Sequence, residues 1–549
     1  FADFIDQRFG IGKLCATSGH QEIELALVRL YRNTGERRYL DLARFFIDQR
    51  GHLHGGSERV AGLKPRSADY NQDRVPLKEA TEAVGHGVCA GYTYSAMTDI
   101  AALFEDDAYR GALDRLWKDV VGRKLYITGS SATAQFYDEG FGEPYHLPNE
   151  TAYCETCSTV SNVLWSWRMT LLHADVGYAD VMERALYNGV LSGISLSGDQ
   201  YFYTNTLASR DGKVRQGSWD PACCQSNLVR TLPQVGSMAY ATAPGTAYVN
   251  LFVAGEASLR VGDSTKRLSV ATDYPWDGKV TITMLDDFEE PFALNLRIPG
   301  WAREQPVPSD LYRFADTSDE LVTIAVAGSE VPLVLKDGYV KVEMVWKAGD
   351  VIELNLPMPA RRVVADSRVK ADLGRIALQR GPLVYCVESL DHADQRTDAI
   401  VLSDDVALRI ERRDRLFDGV PLITAGAEIA VEPSWGKETK LQPQALVAIP
   451  YFMWANRGSG YMDVWLPREA AVSTPLPAAT AVHKGKLSAS GESGGKLESI
   501  IDGRTGPLSE SRETPRLSLA KTSDGKAWVE CQWPKPGDLS GRPTGSPVS

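Results

Sequence analysis

The chain of 549 residues is 43% hydrophobic and 24% charged, carries a formal net charge of −12 and has 8 cysteines. That charge argues against a nucleic-acid partner, which needs a clustered basic surface, and no run approaches the ~18 apolar residues of a membrane span. The cysteines are too few for a disulfide scaffold, and the length suggests about three or four domains of ~150 residues each.

The chain opens on Phe1 inside an amphipathic pattern, with no secretory signal in view. The expectation is that earlier sequence is missing. Residues 1–242 read as helical. In "GHQEIELALVRLYRNTG", Ile23, Leu27, Leu30 and Tyr31 recur at helical spacing; Gly35 ends that helix and "RRYLDLARFFIDQRG" starts the next. The unit recurs over 88–121 and 157–191. Tyr39, Tyr109 and Tyr178 stand just inside the second helix of each hairpin, 70 and 69 residues apart, which marks an internal repeat. Long connections rich in Trp, His, Gly, Pro and carboxylates suit a closed α/α toroid with a mouth at one end. Six hairpins at this period need about 420 residues, so roughly half of an (α/α)6-type ring is expected to lie outside this chain.

Near Pro244 the period changes. "TAYVNLFVAGEASLRV", "GKVTITML", "FALNLRIPGWA" and "GYVKVEMVWKAGDVIELNLP" predict antiparallel strands. The expected arrangement is a β-sandwich over 243–350 and a second β-sandwich region over 351–467. Residues 468–481 read as a Pro/Ala linker. Residues 482–549 resemble the opening of a galactose-binding-like β module, which favours a secreted or periplasmic setting.

The chemistry concentrates in "GSSATAQFYDEGFGEPYHLPNETAYCETC", residues 129–157. Glu155 and Cys157 stand at i, i+2, about 200° apart on a helix, and converge only if the helix begins there. A helix N-terminus also favours a thiolate. With Cys223 and Cys224 the set becomes one carboxylate and three thiols, a full tetrahedral shell for zinc. The adjacent cysteines can both reach one metal from an irregular turn ahead of a helix. The spacing is not that of a zinc finger, and buried free cysteines, a purely structural zinc or a strained vicinal disulfide stay open. Glu139 and Glu143 lie on a Gly-rich loop, where a carboxylate is usually just solvated. Glu183 sits on a helix. His20 and His86 each precede the first helix of a hairpin, as caps, core residues or ligands. Tyr203 reads most economically as a packing aromatic.

"GEPYHLPNETAYCETC", "ADVMERALYNGVLSG", the Cys223-Cys224 pair followed by Asn227, "LRIPGWA" and "GRIALQRGPLVYCVE" resemble glycoside hydrolase family 127, the β-L-arabinofuranosidase family, from about Cys15 to Pro467. The resemblance implies a zinc-dependent retaining glycosidase, an (α/α)6 barrel backed by β-sandwiches. By position it makes Cys223 the nucleophile and Glu139 the general acid/base, and gives zinc to Glu155, Cys157, Cys223 and Cys224. His20, His86, Glu183 and Tyr203 match sugar-contacting positions. Zinc keeps a thiol deprotonated near neutral pH and eases its departure, which offsets the slow hydrolysis of a thioglycoside. The implied partner is a carbohydrate: arabinofuranosides, pectin or glycoprotein glycans. A homodimer is compatible with it. Two departures bear on the sugar. Gln225-Ser226 stands where the family has two prolines, and Pro221 where a further cysteine is common. A hydrolase of another furanose, such as aceric acid from pectin, is therefore an alternative, and a non-catalytic carbohydrate-binding protein with a structural zinc is another.

Overall fold

The computed structural model describes residues 1–52, 67–133, 139–210, 212–393, 396–432 and 438–476, with four short strands further on. After a first helix α1 (Ala2–Arg8), three helical hairpins follow: α2 (Ile23–Thr34) with α3 (Arg37–Gln49), α4 (Gly87–Leu103) with α5 (Asp107–Arg123), and α6 (Thr156–His173) with α7 (Val176–Arg184). Then come α8 (Cys223–Thr231) and a short α9 (Val235–Met238).

In the second hairpin burial separates an inner from an outer helix. Every residue of α4 from Gly87 to Ala101 is buried, whereas α5 buries a stripe at Tyr109, Ala112, Leu113, Leu116, Trp117 and Val120, the i, i+3, i+4 pattern of an outer helix. Inner helices α4 and α6 approach closely because glycine permits it. A Cβ on Gly91 would fall 2.2 Å from Ser161 Oγ. The repeated tyrosine joins successive outer elements. Tyr39 donates to Asp3 of α1 over 2.7 Å, Tyr109 to Asp48 of α3 over 2.6 Å, and the Tyr178 ring packs 4.6 Å from Trp117 of α5.

Two further sheets follow. One has six strands, in the order Ser329–Glu330, Thr323–Val326, Val351–Asn355, Lys279–Met284, Ser264–Thr272 and Gly255–Val261. The other has five: Leu335–Lys336, Tyr339–Met344, Phe292–Arg297, Thr246–Val249 and Tyr240–Ala243. All these pairings are antiparallel except Thr246–Val249 on Phe292–Arg297. Val351–Asn355 pairs with strands of the first sheet, so that unit runs past the expected boundary at 350. Conversely, Tyr312–Phe314 leaves it to pair with Ala360–Ala365. The region beyond is one branched sheet of 11 strands built around the hairpin Pro421–Val431/Lys440–Pro450.

That sheet reaches back into the helical part. Ala208–Ser209, between α7 and α8, pairs with Met462–Asp463. Buried Arg215 donates to the carbonyls of Trp454 and Phe452, and Asn188 exchanges bonds with Pro382 and Val384. The segment expected as a linker is partly fixed. Ala470–Val472 forms a helical turn, and Leu476 exchanges backbone bonds with Ala430 and Glu432. The sequence reads as rich in alanine and proline; backbone pairing fixes the part up to Leu476. Most of 482–549 lies outside the described residues, which there form two strand pairs, Lys486–Ala489 with Val529–Gln532 and Glu492–Gly494 with Ser518–Leu519.

Candidate active site

The site assembles at the N-terminal ends of α4, α6 and α8. Glu155 is the extended residue just before α6, at φ −56° and ψ 138°, and Cys157 is in the first helical turn. Thr156 N donates to Tyr203 O over 2.9 Å, which holds this entry against the Tyr203 segment. The preceding Cys154 is left-handed, at φ 38°, and its carbonyl accepts from Asn205 N and Nδ2. A non-glycine residue in this region needs such support. The turn aims Glu155 inward.

Cys223 and Cys224 are the first two residues of α8, not part of an irregular turn. They still converge, since the first turn carries no preceding helix to crowd them. Their sulfurs lie 3.9 Å apart and unbonded, which removes the vicinal disulfide. Cys157 Sγ is 3.4 Å from Cys224 Sγ, and Glu155 Oε1 lies 3.9 Å from Cys224 Sγ and 4.0 Å from Cys223 Sγ. One ligand atom from each of the four falls within 4.8 Å of all the others. Glu155, Cys157 and Cys224 are buried and Cys223 is half-buried. Glu155 Oε2 is buried with no hydrogen-bond partner among the described residues. Burial, with Cys223 beside it, pushes the Glu155 carboxyl up to about 8. The thiols of Cys157 and Cys224 donate toward Cys223, which holds Cys223 low, while Cys157 is raised by the same contact. Three sulfurs and a carboxylate packed this way, with one oxygen buried and unmatched, can hold a metal ion.

Glu139 faces the same carboxylate. His86 Nε2, Glu139 and Glu155 each place an atom within 4.8 Å of the other two. His86 caps α4: its Nδ1 accepts from Cys89 N over 3.2 Å, so a neutral ring carries its proton on Nε2. That proton points at Glu139 Oε2, 3.1 Å away. Glu139 itself is left-handed, at φ 61°, with its carbonyl bonded to Gly87 N. His20 lies at the exposed rim, its ring 6.3 Å from both His86 and Tyr92. Tyr203 stands between Tyr153 and Trp219, at 5.9 and 5.8 Å, as an aromatic wall beside Cys223 and Cys224.

Glu183 is the exception. The structure does not bring it to this cluster. It is 1% exposed, accepts from Tyr274 OH at 2.6 Å and Trp301 Nε1 at 3.3 Å, and pairs with Arg297. It pins α7 to the β-sandwich. Sequence reasoning also passed over Tyr92 and Arg230. Tyr92 donates to Asn227, 135 residues away, a separation that no local pattern records.

Hairpins that gather carboxylates and thiols at one end, in front of β-sheet domains, have the build of a glycoside hydrolase. Models of the family 127 β-L-arabinofuranosidase catalytic domain, middle domain and C-terminal domain match residues 1–237, 246–358 and 360–467. The chain belongs to glycoside hydrolase family 127 and is a glycosidase. A non-reducing end β-L-arabinofuranosidase of Bifidobacterium longum is 33% identical to it over 516 residues, 85% of this chain and 74% of that protein. Among solved structures, a family 127 β-arabinofuranosidase superposes with a TM-score of 0.81 at 38% identity, over 87% of this chain and 73% of its own. The family 127 β-L-arabinofuranosidase of Geobacillus stearothermophilus T6 superposes at 0.78 with 36% identity, over 85% and 75%. The cluster of Glu155 with Cys157, Cys223 and Cys224 can hold a metal ion beside the carboxylate of Glu139.

Proposed function

We propose that the chain releases terminal β-L-arabinofuranose from plant-type glycans with retention, using Cys223 as nucleophile and Glu139 as general acid/base. The observation that supports this best is the four-atom cluster of Glu155, Cys157, Cys223 and Cys224 with the His86–Glu139 pair across the shared Glu155. A single carboxylate and three thiols suit zinc better than a hard cation such as magnesium. When bound, zinc supplies a positive charge that keeps Cys223 a thiolate and lowers the cost of releasing that sulfur.

The residues then divide the work. Cys223, half-buried at the open side, attacks the anomeric carbon. Glu139 gives a proton to the departing oxygen, and afterwards takes one from the incoming water. His86 holds the Glu139 carboxylate in place through Oε2. Cys157, Cys224 and Glu155 would hold the metal together with Cys223. Tyr203 and His20 line the sugar's path. The charge balance favours a neutral sugar over an acidic one, because Arg230, which reaches the mouth through Tyr92, is already paired with Glu22.

The test is sugar release from a panel of β-L-arabinofuranosides and pectin oligosaccharides, with metal content measured alongside. Arabinose release by the wild type, abolished by Cys223→Ser and by Glu139→Gln and lost on chelation, is the expected result. Release from aceric acid glycosides alone would replace the sugar assignment. Full activity in Cys223→Ser would overturn the nucleophile.

A further inference from the structure

Asn227 stands one turn after Cys223 in α8, so their side chains share a helix face. It is 7% exposed. Its amide has only one chemically consistent orientation. Arg230 Nε, which can only donate, lies 2.9 Å from one amide atom, so that atom is the oxygen. Tyr92 OH donates to the same oxygen over 2.7 Å and accepts from Arg230 Nη2 over 2.6 Å. Arg230 Nη1 is held in turn by Glu22. The chain of bonds from Glu22 through Arg230 and Tyr92 therefore ends on Asn227 Oδ1 and turns Nδ2 the other way.

Nδ2 has no hydrogen-bond partner among the described residues, and it is not sealed from solvent. A nearly buried amide locked by two donors with its own donor group left over is costly unless something else accepts from it. The neighbours indicate what that is. Tyr92 lies 6.3 Å from His20, and His20 lies 6.3 Å from His86, the partner of Glu139. Asn227 thus belongs to the wall of the pocket that Cys223 and Glu139 share.

We infer that Asn227 is a substrate-binding residue whose Nδ2 donates to a hydroxyl oxygen of the sugar held at Cys223, with Tyr92, Arg230 and Glu22 as its positioning residues. The inference rests on the assignment of Cys223 to the anomeric carbon. It adds a specificity element. A fixed donor with no acceptor character rewards an oxygen at one sugar position and discriminates against an analogue that lacks it.

The experiment compares Asn227→Asp and Asn227→Ala with the wild type on an aryl β-L-arabinofuranoside and its monodeoxy analogues. Asp can still accept from Arg230 and Tyr92 but offers no donor; Ala removes the group without adding charge. Both variants are expected to lose about 30-fold in kcat/KM at wild-type zinc content; Asn227→Asp, which keeps the acceptor for Arg230 and Tyr92, should melt as the wild type does, whereas Asn227→Ala strands those two donors and should melt lower. On the one deoxy analogue that lacks the contacted hydroxyl, the penalty should fall below about threefold. Tyr92→Phe, which leaves Arg230 on Oδ1, should cost about threefold to tenfold. Wild-type kinetics in both Asn227 variants, or an equal loss on every deoxy analogue, would overturn the contact. If the wild type cleaves no arabinofuranoside, the functional proposal fails on its own. Calorimetric titration of free L-arabinose into wild type and Asn227→Ala then decides the contact without turnover, weaker binding by the variant supporting it and equal affinity refuting it.

Discussion

Replacing Glu183 by glutamine separates a structural from a catalytic carboxylate. In the structure Glu183 accepts from Tyr274 OH, Trp301 Nε1 and Arg297 in a fully buried setting, and Arg297 keeps a second partner in Asp180 at 2.6 Å. Glutamine can still accept from Tyr274 and Arg297 through its carbonyl. Its amino group, however, must face Trp301 Nε1, and two donors then oppose each other. One charge-assisted bond is reduced to a neutral one and one donor is left unmatched, a loss of about 3 kcal/mol. Glu183→Ala also strands the guanidinium and opens a cavity, so about 4–5 kcal/mol is expected. The assay is thermal and denaturant unfolding beside steady-state kinetics at 25 °C. Melting should fall on the order of 5 °C for Glu183→Gln, and kcat/KM of the folded enzyme should stay within about threefold of wild type. A hundredfold loss of kcat/KM at unchanged stability would refute the reasoning and return Glu183 to the substrate.

Asp372 carries a pH signature. Burial raises its carboxyl from 3.8 to about 7, against a lowering hydrogen bond from Asn149. Between those values the unfolded chain has lost its proton and the folded chain has kept it, so stability falls as pH rises, by up to about 4 kcal/mol in total. Asp372→Asn should match wild type near pH 4 and exceed it at pH 8 in urea melts, and parallel profiles would count against this. Gln225 presents both amide atoms buried and without a partner among the described residues, next to Cys224. Gln225→Met keeps the shape and removes the unmatched groups, so a gain of about 2 kcal/mol is expected. A destabilised variant would mean that the amide has a water or ligand partner.

The helical hairpins were legible because helical spacing of apolar residues is local, and the tyrosine repeat was legible because each copy reaches back to the preceding outer element, Tyr39 and Tyr109 through a hydroxyl bond to aspartate and Tyr178 through its ring on Trp117. The convergence of Glu155 and Cys157 was legible too, since only a helix start allows it. Glu183 was not. A motif match carried it to the sugar, while its actual partners lie 91, 114 and 118 residues away in a different domain. Leu476 shows the same limit in the backbone. Its composition reads as linker, and the bonds to Ala430 and Glu432 that fix it leave no trace in the local sequence.

The pairing of Ala208–Ser209 with Met462–Asp463 has a consequence for how this enzyme can be divided. Tyr203, Trp219 and Cys223 form one wall of the site, and soon after Tyr203 the chain becomes a strand of the last domain's sheet at Ala208–Ser209, held there also by the Arg210–Asp463 ion pair and by Arg215. The helical domain therefore has no seam behind its own active site. Cutting the gene after the catalytic region, or exchanging the β-domains between relatives, removes the template on which that wall is laid. Heredity should treat the three regions as one cassette, lost or transferred together, and engineers seeking a minimal catalyst should trim loops rather than domains.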